Sequence, residues 1–258
     1  MDWLYPLSGF IVGGIVGLTG VGGGSLMTPL LVLLFGVHPA TAVGTDLLYA
    51  AITKAGGTTV HARKGHVDWR ITGLLAAGSI PAAIITIWVL SRLPTQSAAV
   101  THTISVSLGI ALLLTALAII FRHKLQRYAL AHAEDRTHTQ YRAPITVAVG
   151  LVLGILVTIS SVGAGALGVA VLFFLYPKLP AIRIVGSDLA HAVPLTLVAG
   201  IGHWALGSID WALLGSLLLG SLPGIWLGSH LSAKVPERFL RPILASMLVL
   251  VGGKLIAL

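Results

Sequence analysis

Cysteine is absent from this chain of 258 residues, and charge is scarce: 8 acidic and 16 basic side chains, 9% of the positions. The missing cysteines exclude disulfides and thiol chemistry and indicate nothing further about compartment. The shortage of charge excludes more. A soluble domain carries about 25% charged residues, whereas 56% of this chain is hydrophobic and its mean hydropathy is strongly positive. Too little polar surface remains to face water, so the chain reads as an all-α, polytopic integral membrane protein. Its formal charge of +8 is no nucleic-acid footprint, because the basic residues lie between apolar segments rather than on one patch. Met1-Asp2-Trp3 also lacks a basic n-region and a small-residue cleavage site, so no cleaved signal peptide is expected.

What the chain does have is a copy of itself. Shifted forward by 142 positions, Gly44–Pro81 lands without a gap on Gly186–Pro223, and 13 of the 38 residues are identical. Asp46, His61, Asp68 and Trp69 are among the identities, and such residues rarely coincide through compositional bias. Two related halves in a hydrophobic chain are a signature of secondary transporters.

Ten apolar segments follow one another, at 3–18, 25–36, 39–62, 69–91, 98–121, 143–161, 164–176, 182–205, 211–231 and 237–257. A hydrocarbon core about 30 Å thick needs about 20 helical residues. Segments 25–36 and 164–176 are shorter and occupy matched positions after glycine-rich breaks; they either cross fully or form re-entrant arms. If the segments alternate and the loop 122–142 is cytoplasmic, 13 of the 16 basic residues fall on the inner side. That bias satisfies the positive-inside rule and places both termini outside. Five segments per half then make the repeat inverted, with a first half at 1–121, a cytoplasmic linker at 122–142 and a second half at 143–258. The histidines and acids of the linker show no tight ligand spacing, so no metal site and no cofactor are expected.

The glycine breaks, Gly20 to Gly24 and Val162 to Gly165, are the first candidates for a site. A helix that starts inside the membrane exposes free N–H groups and the positive end of its dipole, and glycine lets a ligand approach the backbone. Thr19, Gly22, Gly23, Gly24 and Ser25 in one half, with Ser160, Ser161, Gly163 and Gly165 in the other, are therefore candidate anion-binding residues. The plainer alternative is close helix packing.

Lys54 lies well inside a segment, about 12 Å from the inner helix end, beyond easy snorkelling reach. Its repeat mate is Thr196, so its charge is not a symmetric structural device. It either serves a substrate or counter-ion, or pairs with Asp46. Asp46 and Asp188 head the matched runs Gly44-Thr45-Asp46-Leu47 and Gly186-Ser187-Asp188-Leu189. Each is either a proton or sodium coupling site or the cap of a helix restarted after its glycine. His191, three residues after Asp188, lies on the same helical face and is placed to share a proton. His61 and His203 occupy one repeat position and complete the coupling or gating candidates. Asp68-Trp69 and Asp210-Trp211 read as interfacial caps with aromatic anchors.

Three runs together resemble the TauE/SafE sulfite exporter family, also called TSUP. They are Gly17-Leu18-Thr19-Gly20-Val21-Gly22-Gly23-Gly24, His38-Pro39-Ala40-Thr41-Ala42-Val43-Gly44-Thr45, and His61 to Trp69. The resemblance spans essentially the whole chain. It implies a bacterial-type inner-membrane carrier of sulfite, thiosulfate, sulfate or organosulfonates, working in either direction. The family pattern often has serine where this chain has Asp46 and Asp188, so a neutral serine-lined site does not carry over to those positions. An anion channel needs the same basic surroundings without paired gates. An intramembrane enzyme is disfavoured, because Gly23-Gly24-Ser25-Leu26 lacks the G-x-S-x-G elbow.

Overall fold

The structure, a computed structural model, describes residues 3–19, 24–93, 97–131, 141–231 and 237–257. Within them the apolar runs form helices and no strands. The first half contains α1 (Leu4–Thr19), α2 (Gly24–Leu33), α3 (Pro39–Arg63), α4 (Trp69–Ser91) and α5 (Ala98–Ala131). The second contains α6 (Arg142–Ser160), α7 (Ala166–Leu175), α8 (Ala181–Ala205), α9 (Trp211–Leu231) and α10 (Glu237–Ala257). Five of them, in α4, α5, α6, α8 and α9, are long and apolar enough to cross a membrane. α3 is just as long but carries Asp46, Lys54 and five threonines. α2 and α7, at ten residues each, span only about 15 Å.

Helix boundaries fall where the local chemistry stops or starts them, and they repeat. Pro39 opens α3, where its missing N–H costs nothing. The Asp68 carboxylate accepts from the N–H groups of Arg70 and Ile71 to cap α4, and Asp210 accepts from Leu213 at the start of α9. Trp69 and Trp211, immediately after these caps, are exposed, as headgroup-level anchors should be. α3 and α8 both end in a left-handed glycine, Gly65 at φ 69° and Gly207 at φ 71°. The backbone bonds that follow are the same pair in each case: Gly65 to Ala62 and His66 to His61, Gly207 to Trp204 and Ser208 to His203. At the 142-residue offset, α2 superposes on the bounds of α7 and α3 on those of α8.

The two halves interleave. The most extensive helix pairings are α1 with α9, α4 with α6, α3 with α8 and α5 with α10, each joining one helix of the first five to one of the last five. α4 lies against α6 so closely that a Cβ at Gly78 or Gly150 would collide with the backbone carbonyls of Val147 and Leu75. Gly220 and Gly9 meet Pro6 and Leu217 in the same way between α9 and α1. Such small-residue seams let membrane helices gain dispersion energy without a hydrophobic driving force.

α3 and α8 form the buried centre. Leu48 packs on Gly200, and Leu189 packs on Gly57 and accepts from the Thr58 hydroxyl, so the two helices run antiparallel. Two hydrogen bonds between the halves match at the repeat offset: the Asp68 N–H donates to Ser187 Oγ at 2.7 Å, and the Asp210 N–H donates to Thr45 Oγ1 at 3.1 Å. One boundary differs from expectation. α5 continues through Ala131, into the stretch 122–142 read as linker, and Tyr128 there stacks on Phe174 of α7 with ring centroids 6.3 Å apart.

Candidate functional site

The second glycine break is the frame of the site. α6 ends at Ser160; Ser161 then turns left-handed at φ 58°, and Gly163 and Gly165 follow at φ 126° and 127° before α7 begins. Only glycine adopts the last two conformations freely. The result is a helix, α7, whose N-terminus opens toward α3 and α8. The two serines of the break do different things. Ser160 Oγ donates to the Leu156 carbonyl at 2.6 Å and accepts from the Val162 N–H, so its hydroxyl holds its own backbone. Ser161 Oγ is buried, makes no bond to its own backbone, and faces the Asp46 carboxylate as a hydrogen-bonding group.

Lys54 projects from α3 into this break. Its side chain is 6% exposed, and its Nζ donates to the Ala164 carbonyl at 3.1 Å. Among the described residues it forms no ion pair, so the direct pairing with Asp46 open from the sequence is not made. Asp46 and Asp188 both act on it electrostatically, one from each half. Thr196, its repeat mate, instead donates to the Ala192 carbonyl of its own helix.

Both carboxylates are buried, and neither caps the helix that carries it: each is the eighth residue of an unbroken helix. Their partners lie on the short helices. The Thr28 hydroxyl of α2 donates to Asp46 Oδ2, and the Ser161 hydroxyl faces the same carboxylate from the break. Asp188 presses on α7: its Oδ1 occupies the space a Cβ on Gly168 would take, and the Gly165 N–H points to the carboxylate. Asp188 Oδ1 also lacks a partner among the described residues. The anionic group at the N-terminus of α7 is therefore the protein's own.

The histidines divide. His191 Nε2 and Ser79 Oγ are 2.8 Å apart, and this bond to α4 replaces the expected exchange with Asp188. Its repeat mate Tyr49 lies by Ser221, the mate of Ser79. His203 Nε2 donates to the Thr158 carbonyl at 2.9 Å and its Cβ packs on Gly44, two residues before Asp46. His61 lies over Gly186, two residues before Asp188. Each matched histidine thus stands beside the carboxylate run of the other half.

Gly22 and Gly23 lie outside the described residues; Thr19 ends α1, and Gly24 and Ser25 open α2. Thr28 and Ser79 escaped the reading of the sequence. A signal existed for Ser79, whose identity with Ser221 is part of the repeat. Thr28 has no hydroxyl counterpart, since its mate is Ala170. No group of three or more His, Asp or Glu among the described residues is arranged to hold a metal ion.

The comparisons with known proteins place the chain among membrane transporters. The chain is 40% identical over 250 residues to a probable membrane transporter protein of Bacillus subtilis, YjnA, covering 97% of this chain and 98% of that one. A second from the same organism, YdhB, is 27% identical across 93% of this chain and 97% of its own. A probable membrane transporter protein of Xylella fastidiosa is 26% identical across 88% and 83%. No solved structure matches. The family described as sulfite exporter TauE/SafE matches residues 5–255, so this multi-pass chain, with its paired halves and buried lysine, belongs to the TauE/SafE family of membrane transporters.

Proposed function

We propose that the chain is a secondary carrier that moves a small sulfur-containing oxyanion across the bacterial inner membrane by alternating access between inverted halves. The observation that carries this is Lys54: a cation buried at the centre of the molecule, against a helix break, with no counter-ion in bonding distance among the described residues. Such a charge is costly in a membrane unless an anion or water meets it. Around it stand the buried Ser161 hydroxyl, turned to Asp46, and the N-terminus of α7, turned to Asp188, both of them groups that suit oxyanion oxygens. The antiparallel course of the counterparts α3 and α8 supports the inverted repeat, and the family's name supports the class of anion.

Purified protein in liposomes tests this with labelled sulfite, thiosulfate and sulfate. Saturable uptake, accelerated by the same unlabelled anion on the far side, is the expected result, with Lys54→Met strongly impaired. Absence of uptake for all three anions overturns the proposal. Single-channel currents would assign the protein to the channels instead.

A further inference from the structure

The cluster around Lys54 holds one positive and two negative groups, all buried: Lys54, Asp46 and Asp188. With both carboxylates ionised its net charge is minus one, which repels the anion that the proposed function would bring there. Asp188 in addition stands on the α7 N-terminus, the position an oxyanion would take. We propose that Asp46 and Asp188 are the coupling-ion sites of this carrier and that the ion is the proton, one or both carboxylates taking it up when the anion binds. This inference rests on the transport reading and goes beyond it by naming the coupling ion and its seats.

The geometry favours a proton over sodium. Asp188 Oδ1 has no hydrogen-bond partner among the described residues, and Asp46 is met by the hydroxyls of Thr28 and Ser161, either of which can turn to accept from a protonated carboxyl. A metal cation needs a shell of several oxygens. Asp188 Oδ1 is instead packed against Gly168, and the Lys54 ammonium acts electrostatically on both acids. The other titratable groups facing the cluster are Tyr49, which acts with Asp46, and His191, which feels Lys54. His203 and His61 lie two residues from Asp46 and Asp188 across the α3–α8 contact. No sulfur or oxygen chemistry occurs: a proton leaves water on the side to which the site is open, rests on a carboxyl oxygen beside the bound anion, and is released with it on the other side.

Two measurements on the whole protein decide this. In weakly buffered detergent solution, binding of thiosulfate or sulfate, both fully ionised at neutral pH, should withdraw protons from the medium relative to a protein-free blank. Affinity should fall about tenfold per pH unit for each proton carried, once the carboxylates ionise. In liposomes, a proton gradient should drive uptake and a sodium gradient should not. Asp46→Asn and Asp188→Asn should each reduce the proton count and flatten the pH dependence. Binding without proton uptake, or uptake driven by sodium alone, overturns this inference and leaves the carrier reading intact. Failure of every anion to bind removes both. If either variant fails to fold, the proton count of the unmodified protein decides by itself.

Discussion

Ser161 separates backbone from chemistry at a single position. Its φ of 58° is one that glycine adopts without cost, while its hydroxyl is turned to the Asp46 carboxylate and bonds none of its own backbone. Ser161→Gly should therefore leave the melting temperature unchanged or raise it, while anion affinity falls. Equal loss of both would make the hydroxyl structural. Lys54→Met removes a charge-assisted hydrogen bond to the Ala164 carbonyl, an interaction worth about 1.5–3 kcal/mol. Anion affinity in liposomes or by calorimetry should fall by about tenfold to a hundredfold, and an unchanged value would remove Lys54 from the site. Lysine and both aspartates stood out in the sequence because charge inside an apolar run is expensive. Their partners did not, because Ala164 contributes only a carbonyl and Thr28 is an ordinary hydroxyl in a short helix. Of the two roles open to Asp46 and Asp188, capping their own helices is not the one they take, for a physical reason. Gly44 and Gly186 are used for close approach to the Ser208 and His66 carbonyls, not to break the chain.

At the scale of elements, glycine in a helix has two opposite meanings that only packing distinguishes. Gly56 in α3 has open space where a Cβ would go, whereas a Cβ on Gly150 in α6 would strike the Leu75 carbonyl. Helix propensity favours alanine at both sites by about 0.5–1 kcal/mol. Gly56→Ala should therefore raise the thermal stability of the purified protein, and Gly150→Ala should lower it by forcing α4 and α6 apart. Similar shifts for the two would show that the seam is looser than its backbone contacts indicate. Helix positions themselves were legible, since apolar runs bounded by Pro39, Asp68, Gly65 and their counterparts leave little choice of register. α5 was not. Arg122, Lys124 and Arg127 look like the start of a solvated loop, yet the helix continues to Ala131 and Tyr128 finds Phe174.

For the whole molecule, the repeat offset carries the argument furthest. Matched bonds from Asp68 to Ser187 and from Asp210 to Thr45 tie the start of α4 to α8 and the start of α9 to α3. Because α3 and α8 run antiparallel, these two ties lie at opposite ends of the central pair. They are not equal in charge. Arg183 reaches Asp68 at 3.4 Å, while the residue 142 positions before Arg183 is Thr41, which offers Asp210 no such ion pair. The end with Arg183 is also the one rich in lysine and arginine, with Arg63, Lys64, Arg70 and Lys178 close by in sequence, so the positive-inside rule predicts that it faces the cytoplasm. Since the chain has no cysteine, single cysteines introduced at Gly65 and Gly207 report the two ends without background. Both positions are turn glycines with open space where a Cβ would go, although their positive φ makes any side chain there somewhat strained. In intact cells, a membrane-impermeant maleimide should label Gly207→Cys from outside and leave Gly65→Cys unlabelled until the membrane is opened. Labelling of both from outside would sink the inverted arrangement, and with it the placing of both termini on the outer side.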